Sequence, residues 1–359
     1  MVAYAYYRLP YSDEYTEMIQ TDGEPEEIHS YSELNGQNGF VMSPFAASHD
    51  QPILLIHPDK VEKHKVGERE KTVLMETPSK ECSRERWHYA TDFANFHARL
   101  LSGEFRKIVL ARCAGEETEH AIPPEELFLR ACEMYPRVFV SLVYTEKSGT
   151  WLMATPEILL DGKGNDWCTI ALAGTMNLQG KQLELDNPPS GDKTPSTDVT
   201  WDTKNIQEQR YVATYVTECL ERFTNDFHEE GPYTARAGNV AHLRSDFKFR
   251  LADCSRLGDV IGVLHPTPAV CGLPKKETYN FIINNEDAPR HYYSGFVGPL
   301  NACGETHLYV SLRCMQICGN RYNLYAGGGL LKDSVEQQEW DETEAKMETM
   351  RRCLAIKRM

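Results

Sequence analysis

The sequence predicts an α+β fold in which helices are inserted among many strands. Short apolar or alternating runs recur from residue 41 to residue 326, and segments with helical spacing interrupt them at irregular intervals. A regular strand–helix alternation, the mark of a doubly wound parallel sheet, cannot be traced, and the chain carries no internal repeat and no low-complexity segment. At 359 residues it is long enough to bury one large core or two ordinary ones.

Residues 1–80 are weakly patterned. The acidic stretch 13–33 reads as a loop or solvated face, 41–45 and 53–56 as short strands, and 60–71 as a charged loop. Residues 83–101 space Trp87, Ala90, Phe93, His97 and Leu101 as a helix does, and Ser102-Gly103 ends it. A strand is expected over 105–112. Pro123-Pro124 then opens a helix through Cys132, closed by Tyr135-Pro136. Strands are expected at 138–144, 150–154, 158–160 and 169–173, before a long Pro-, Gly-, Ser- and Asp-rich loop over 179–200. Residues 204–227 repeat Ile206, Val212, Val216, Leu220, Phe223 and Phe227 as a helix, and Glu208 falls on the side of Val212 and Cys219, so it points inward. A helix over 256–264 leads into a rigid loop over 265–274, which holds three prolines. Strands at 292–297, 307–317 and 322–326 follow. In the middle one Leu308, Val310 and Leu312 alternate with His307, Tyr309, Ser311 and Arg313.

Composition narrows the function. Charged residues are 25% and apolar ones 41%, as in a globular chain. No run of roughly 18 apolar residues exists to cross a membrane, and the first ten residues lack the pattern of a signal peptide, so the expected place is the cytoplasm. Eleven scattered cysteines without C-x-x-C spacing point to reduced thiols, not to a disulfide framework or a zinc site. With 53 acidic against 38 basic residues the formal charge is −15, which argues against nucleic acid or an anionic membrane as partner. An anionic substrate would need a local cluster of Lys and Arg, or a metal.

The most suggestive stretch is Gly327-Gly328-Gly329 and the acidic helical run 336–350. Consecutive glycines let backbone approach a ligand closely. Glu339, Glu342 and Lys346 stand three and four apart and overlap the stripe of Thr343, Met347, Met350 and Leu354, so the carboxylates face inward, where they need a cation. A metal-assisted small-molecule site and a solvated helix with a Glu342–Lys346 pair fit this stretch equally well.

The motifs taken together are similar to those of the chorismate-utilising enzymes, a family that includes isochorismate synthase, salicylate synthase and the large subunit of anthranilate synthase. The matching runs are Lys107-Ile108-Val109-Leu110-Ala111-Arg112, Ala154-Thr155-Pro156-Glu157, Leu172-Ala173-Gly174-Thr175, His265-Pro266-Thr267-Pro268-Ala269, Ser294-Gly295-Phe296-Val297-Gly298, Ser311-Leu312-Arg313, Tyr325-Ala326-Gly327-Gly328-Gly329 and Glu339-Trp340-Asp341-Glu342-Thr343. They stand in family order over 85–354, whereas 1–80 match weakly. The resemblance implies one chorismate-binding domain over 1–359, with an anthranilate-synthase-component-I-like fold of two large antiparallel sheets flanked by helices.

It also implies a reaction: Mg²⁺-dependent, reversible conversion of chorismate to isochorismate, by addition of water at ring C2 with loss of the C4 hydroxyl. Lys107 aligns with the water-activating base, and on its strand it shares a face with Val109 and Ala111, an apolar setting that favours the neutral amine. Glu157 aligns with the general acid, which burial must keep protonated near neutrality. Glu208 and Glu342 align with the Mg²⁺ ligands, and Glu339 with a secondary acidic position. Gly174, Thr175, His265, Thr267, Arg313, Gly328, Gly329 and Lys346 align with substrate-binding positions, the arginine suiting a carboxylate. Two departures stand out. Asn205 replaces a frequent acid, and Met176 a frequent arginine. Aminating relatives usually carry Gln in place of Lys107, so no amidotransferase subunit is expected and chorismate is the expected partner of a monomer. A salicylate synthase, an aminating subunit and an inactive chorismate-binding subunit are the alternatives.

Overall fold

A computed structural model describes residues 3–67, 83–177, 200–237 and 240–355. The loop expected over 179–200 lies, but for its last residue, outside the described residues. The first elements are β1 (Ala3–Arg8), β2 (Glu14–Gln20), β3 (Glu26–Ile28), β4 (Gly39–Ser43), β5 (Ile53–Ile56), β6 (Lys60–Lys65) and α1 (Ser83–Leu101). Then come β7 (Lys107–Glu117), α2 (Pro124–Met134), β8 (Phe139–Thr145), β9 (Gly149–Thr155), β10 (Ile158–Lys163), β11 (Asp166–Asn177) and α3 (Thr203–Leu220). Next are β12 (Phe227–Ala237), β13 (Val240–Arg250), α4 (Leu257–Leu264), β14 (Gly272–Leu273) and α5 (Lys275–Asn285). The last are β15 (Phe296–Leu300), β16 (Glu305–Val310), β17 (Cys314–Cys318), β18 (Arg321–Leu330) and α6 (Glu336–Leu354).

The strands form two nine-stranded sheets, in the orders β14-β7-β18-β17-β9-β8-β1-β2-β6 and β12-β13-β11-β10-β16-β15-β4-β5-β3. All their described pairings are antiparallel, from β1 on β2 to β17 on β18. The sheets face each other across a core that includes Phe40, Met42, Trp151, Val297 and Tyr325, with Phe139 stacked on Tyr309 at 4.3 Å. Each such buried side chain contributes about 1.5–3 kcal/mol. The outer face of the first sheet packs against α2 and α6, and that of the second against α3 and α4. This is the α+β architecture the sequence implied. Among the described residues no helix is long and apolar enough to cross a membrane, and no disulfide is present.

Several local expectations are corrected. The acidic and charged stretches hold strands, since β2 and β6 pair with Glu14 opposite Lys65 and Thr16 opposite Lys63. Charges on an edge strand are stable because they reach water, and they also discourage further pairing. The helix expected to reach residue 227 ends at Leu220, and Phe227 begins β12 instead. Tyr292 and Tyr293 precede β15 as a turn. The expected strand 307–317 is two strands: β16 lies in one sheet and β17 in the other, and Arg313, at φ 46°, sits where the chain passes between them.

Candidate active site

Strands β7 and β18 form the floor. Their register sets Gly329 opposite Val109 and Gly327 opposite Ala111, so bare backbone lies beside the face that carries Lys107. A Cβ on Gly329 would lie 2.2 Å from Glu208 Oε1 and 2.9 Å from Lys107 Cε, so only glycine fits there. A buried pair braces this floor. Arg290 binds Glu286 through Nε and Nη2 and donates to the carbonyls of Val109 and Val270, while the Ala111 N–H donates to Glu286 Oε1.

Above it lies a cavity walled by Glu157, Gly174, Thr175, Glu208, His242, Tyr293, Arg313, Gly327, Gly329 and Lys346. Glu157 is 3% exposed, and burial pushes its carboxyl up to about 7 despite Lys107 and the Thr267 hydroxyl, which donates to Oε1 at 3.3 Å. Burial thus favours the protonated carboxyl well above the usual carboxylate range. Lys107 is fully buried, with Nζ 2.9 Å from Glu208 Oε1 but without hydrogen-bond alignment. Its setting is an ion pair, not the apolar surround that the strand alone implied, and its partner Glu208 is in the cavity wall whereas Lys107 is not. Burial raises the Glu208 carboxyl, but Lys107, Lys204 and Lys346 outweigh that and hold it below the usual range.

A bulge in β11, where the register with β13 slips between Ala173 and Met176, releases two N–H groups from the ladder. Gly174, at φ 70°, donates to Glu208 Oε2 at 3.1 Å, and Thr175 donates to Asn205 Oδ1 at 3.0 Å. Asn205 thus supplies a neutral acceptor where the family often has an acid. Met176, opposite Ala241 in β13, is half-buried and brings no charge.

Arg313 is buried, and desolvation lowers it to about 10 against the pull of Tyr135 and Glu342. One Nη2–H donates to His242 Nε2 at 2.6 Å. A guanidinium can only donate, so Nε2 accepts, Nδ1 carries the proton, and Nδ1–H meets the Gly174 carbonyl at 2.9 Å. Burial, Arg313 and Lys346 hold His242 well below the usual histidine range, hence neutral. His242 was not anticipated from the sequence. The sequence carried no apolar signal for it: His242 falls out of phase with Ala241, Leu243, Phe247 and Phe249, on the face it shares with Arg244 and Asp246.

Helix α6 brings the acidic group. Lys346 Nζ donates to Glu342 at 2.7 Å and to the Gly327 carbonyl at 2.8 Å, so the i,i+4 pair exists, but on the cavity side of the helix. Glu339 is 1% exposed and is paired through Oε1 with Lys204 of α3. Burial and then Glu342 raise its carboxyl above the usual range.

Three expected substrate contacts, His265, Thr267 and Gly328, are not among the residues that line the cavity. His265 is not in the cavity wall. It packs edge-on against Tyr31 and Phe296, and burial with nearby Lys275 lowers it to about 3. Thr267 touches Glu157 and not the cavity. Gly328 lies beneath the carboxylates, where an added Cβ would be 3.1 Å from Glu339 Oε2.

The donor set suits a hard cation such as Mg²⁺. Glu208, Glu339 and Glu342 offer oxygen, and Glu339 Oε2 is buried without a hydrogen-bond partner. The three do not converge into one tight cage: among the described residues only Glu17, Glu62 and His64, on the β2–β6 edge, group that closely. One or two carboxylates with water and substrate oxygen are enough for this ion.

A family model described as "Chorismate binding enzyme" matches residues 45–355. Isochorismate synthase DhbC of Bacillus subtilis is 28% identical over 72% of this chain and 65% of its own length. Isochorismate synthase EntC of Escherichia coli is 28% identical over 68% of this chain and 61% of its own. The matches thus span somewhat less than two thirds of these relatives. A structure of putative 2,3-dihydroxybenzoate-specific isochorismate synthase DhbC from Bacillus anthracis superimposes with a TM-score of 0.79 at 22% identity, over 98% of this chain and 95% of that one. Anthranilate synthase component I from Streptococcus pneumoniae does so at 0.65 and 18%, over 91% and 80%. The fold is shared with both.

Proposed function

We propose that this chain, which belongs to the family of chorismate-binding enzymes, is an isochorismate synthase. The observation that carries the reading is one cavity flanked by a carboxyl raised to about 7, Glu157, and a buried lysine, Lys107, with Arg313 and Lys346 in its wall. Water addition at C2 needs a base, departure of the C4 hydroxyl needs an acid, and a dianion needs two cations.

In this reading Arg313 takes one substrate carboxylate in a two-point grip, held in register by neutral His242. Lys346 serves the carboxylates from the other side, beside the backbone of Gly174 and Thr175, whose N–H groups hold Glu208 and Asn205 in place. Lys107 acts as the free amine: it parts from Glu208, gives up its ammonium proton to solvent before the chemical step, and Nζ then accepts a proton from the attacking water as the new C2–O bond forms. Glu157 gives its proton to the C4 oxygen, which leaves as water, and the ring double bonds shift. In the reverse reaction the two residues exchange roles. Thr267 orients Glu157. Mg²⁺, held by Glu208 and Glu342 with Glu339 acting through water, would supply positive charge at the ring carboxylate. We read residues 1–359 as one such domain, monomeric and cytoplasmic.

The test is to incubate purified protein with chorismate and Mg²⁺, with and without ammonia, and to follow products by proton NMR. Isochorismate without pyruvate is expected. Salicylate with pyruvate would make it a salicylate synthase, an ammonia-dependent product an aminating subunit, and unchanged chorismate an inactive binder.

A further inference from the structure

Three carboxylates and three ammonium groups meet between α3 and α6, each paired once: Glu208 with Lys107, Glu339 with Lys204, and Glu342 with Lys346. The charges cancel. A carboxylate as buried as Glu339 stays ionised only beside a cation. The three lysines differ in their freedom to leave. The Lys107 side chain is 0% exposed, the Lys346 side chain is 16% exposed and also bonded to the Gly327 carbonyl, and that of Lys204 is 27% exposed. Lys204 stands one helical turn before Glu208 on α3, so its stem can swing along the helix surface and carry the ammonium into water. Meanwhile Glu339 Oε2 has no hydrogen-bond partner, and it borders the same point above Gly328 as Glu342 Oε1, at 3.1 and 3.8 Å from an added Cβ.

We infer that Lys204 is the removable counter-charge of the cation site: it neutralises Glu339 until a divalent ion arrives and withdraws when the ion takes its place. The inference rests on the metal reading proposed above. It gives Lys204 a sign opposite to that of a residue that merely holds Glu339 in position. Without Lys204 an incoming ion displaces no charge and meets one more net negative charge.

Titration calorimetry of the full chain with MgCl₂ alone reads this directly. Lys204→Gln is expected to bind Mg²⁺ at least fivefold tighter than the parent, and Lys204→Arg, which keeps the charge, within twofold of it. Lys204→Met, which keeps the apolar stem, repeats the test if Gln disturbs the fold, as judged by circular dichroism. Weaker or unchanged Mg²⁺ binding in the neutral variants overturns the inference and leaves the metal reading standing. No Mg²⁺ uptake by the parent, with or without chorismate, overturns both.

Discussion

Glu157 has a folded-state pKa near 7 against an ordinary 4.5, with burial as the main cause. The folded chain therefore binds more protons than the unfolded chain between those values, and stability falls as pH rises through that window. Glu157→Gln removes the cost. By chemical denaturation it should be more stable than the parent at pH 8, by up to roughly 3 kcal/mol, and indistinguishable at pH 4. The same substitution should lower kcat by about 10²–10⁴-fold, as loss of a general acid does. In the parent, kcat for chorismate should decline above about pH 7 as the acid loses its proton. Lys107→Gln should lose a similar factor in hydration and yet retain Mg²⁺-dependent chorismate binding; unchanged turnover would remove Lys107 from the base role. At this scale the sequence was legible where a residue acts through its own motif. Glu157 and Arg313, each in a matched run, line the cavity, and Glu208 lines it from the inward side of its helix, whereas Lys107, also in a matched run, is not in the wall. Lys204 and His242 were not legible, because their partners lie 135 and 71 residues away and become neighbours only when sheets and helices pack.

Elements place those residues, and two junctions matter most. Gly329 lets β18 pass beneath the Lys107–Glu208 pair, so Gly329→Ala must push one of them aside. Activity is expected to vanish while thermal denaturation shows a loss of only about 1–3 kcal/mol, the usual range for overpacking. The second junction is the Arg290–Glu286 pair, each side chain 3% exposed, which ties the end of α5 to β7 and to the carbonyl of Val270. Glu286→Ala leaves a buried guanidinium uncompensated, and urea denaturation should show about 3–5 kcal/mol of destabilisation. Alternation along 307–317 predicted one strand correctly in character and wrongly in length. The pattern continues through the break, and only the positive φ of Arg313 reveals that the chain changes sheet there. The β2–β6 edge escaped notice for the opposite reason: its charges meet water and leave no apolar period to read.

Over the whole molecule, the two-sheet architecture with outer helices follows from strands that are apolar on both faces in the middle of each sheet and polar at the edges. Its consequence for function is electrostatic. A chain of formal charge −15 presents a cavity whose wall holds Arg313 and Lys346 with Glu157 and Glu208, while Lys107 and Lys204, outside that wall, pair with Glu208 and Glu339. Such a site can take a dianion only if its cations outnumber its carboxylates locally or a metal is added. In the proposed reaction solvent water becomes the C2 hydroxyl and the original C4 hydroxyl departs. Mass spectrometry of the product formed from unlabelled chorismate in ¹⁸O-water tests this most directly. Isochorismate two mass units heavier, with one labelled oxygen per molecule, is expected. Unlabelled isochorismate would mean that the hydroxyl migrates within the substrate, and would contradict the roles given to Lys107 and Glu157.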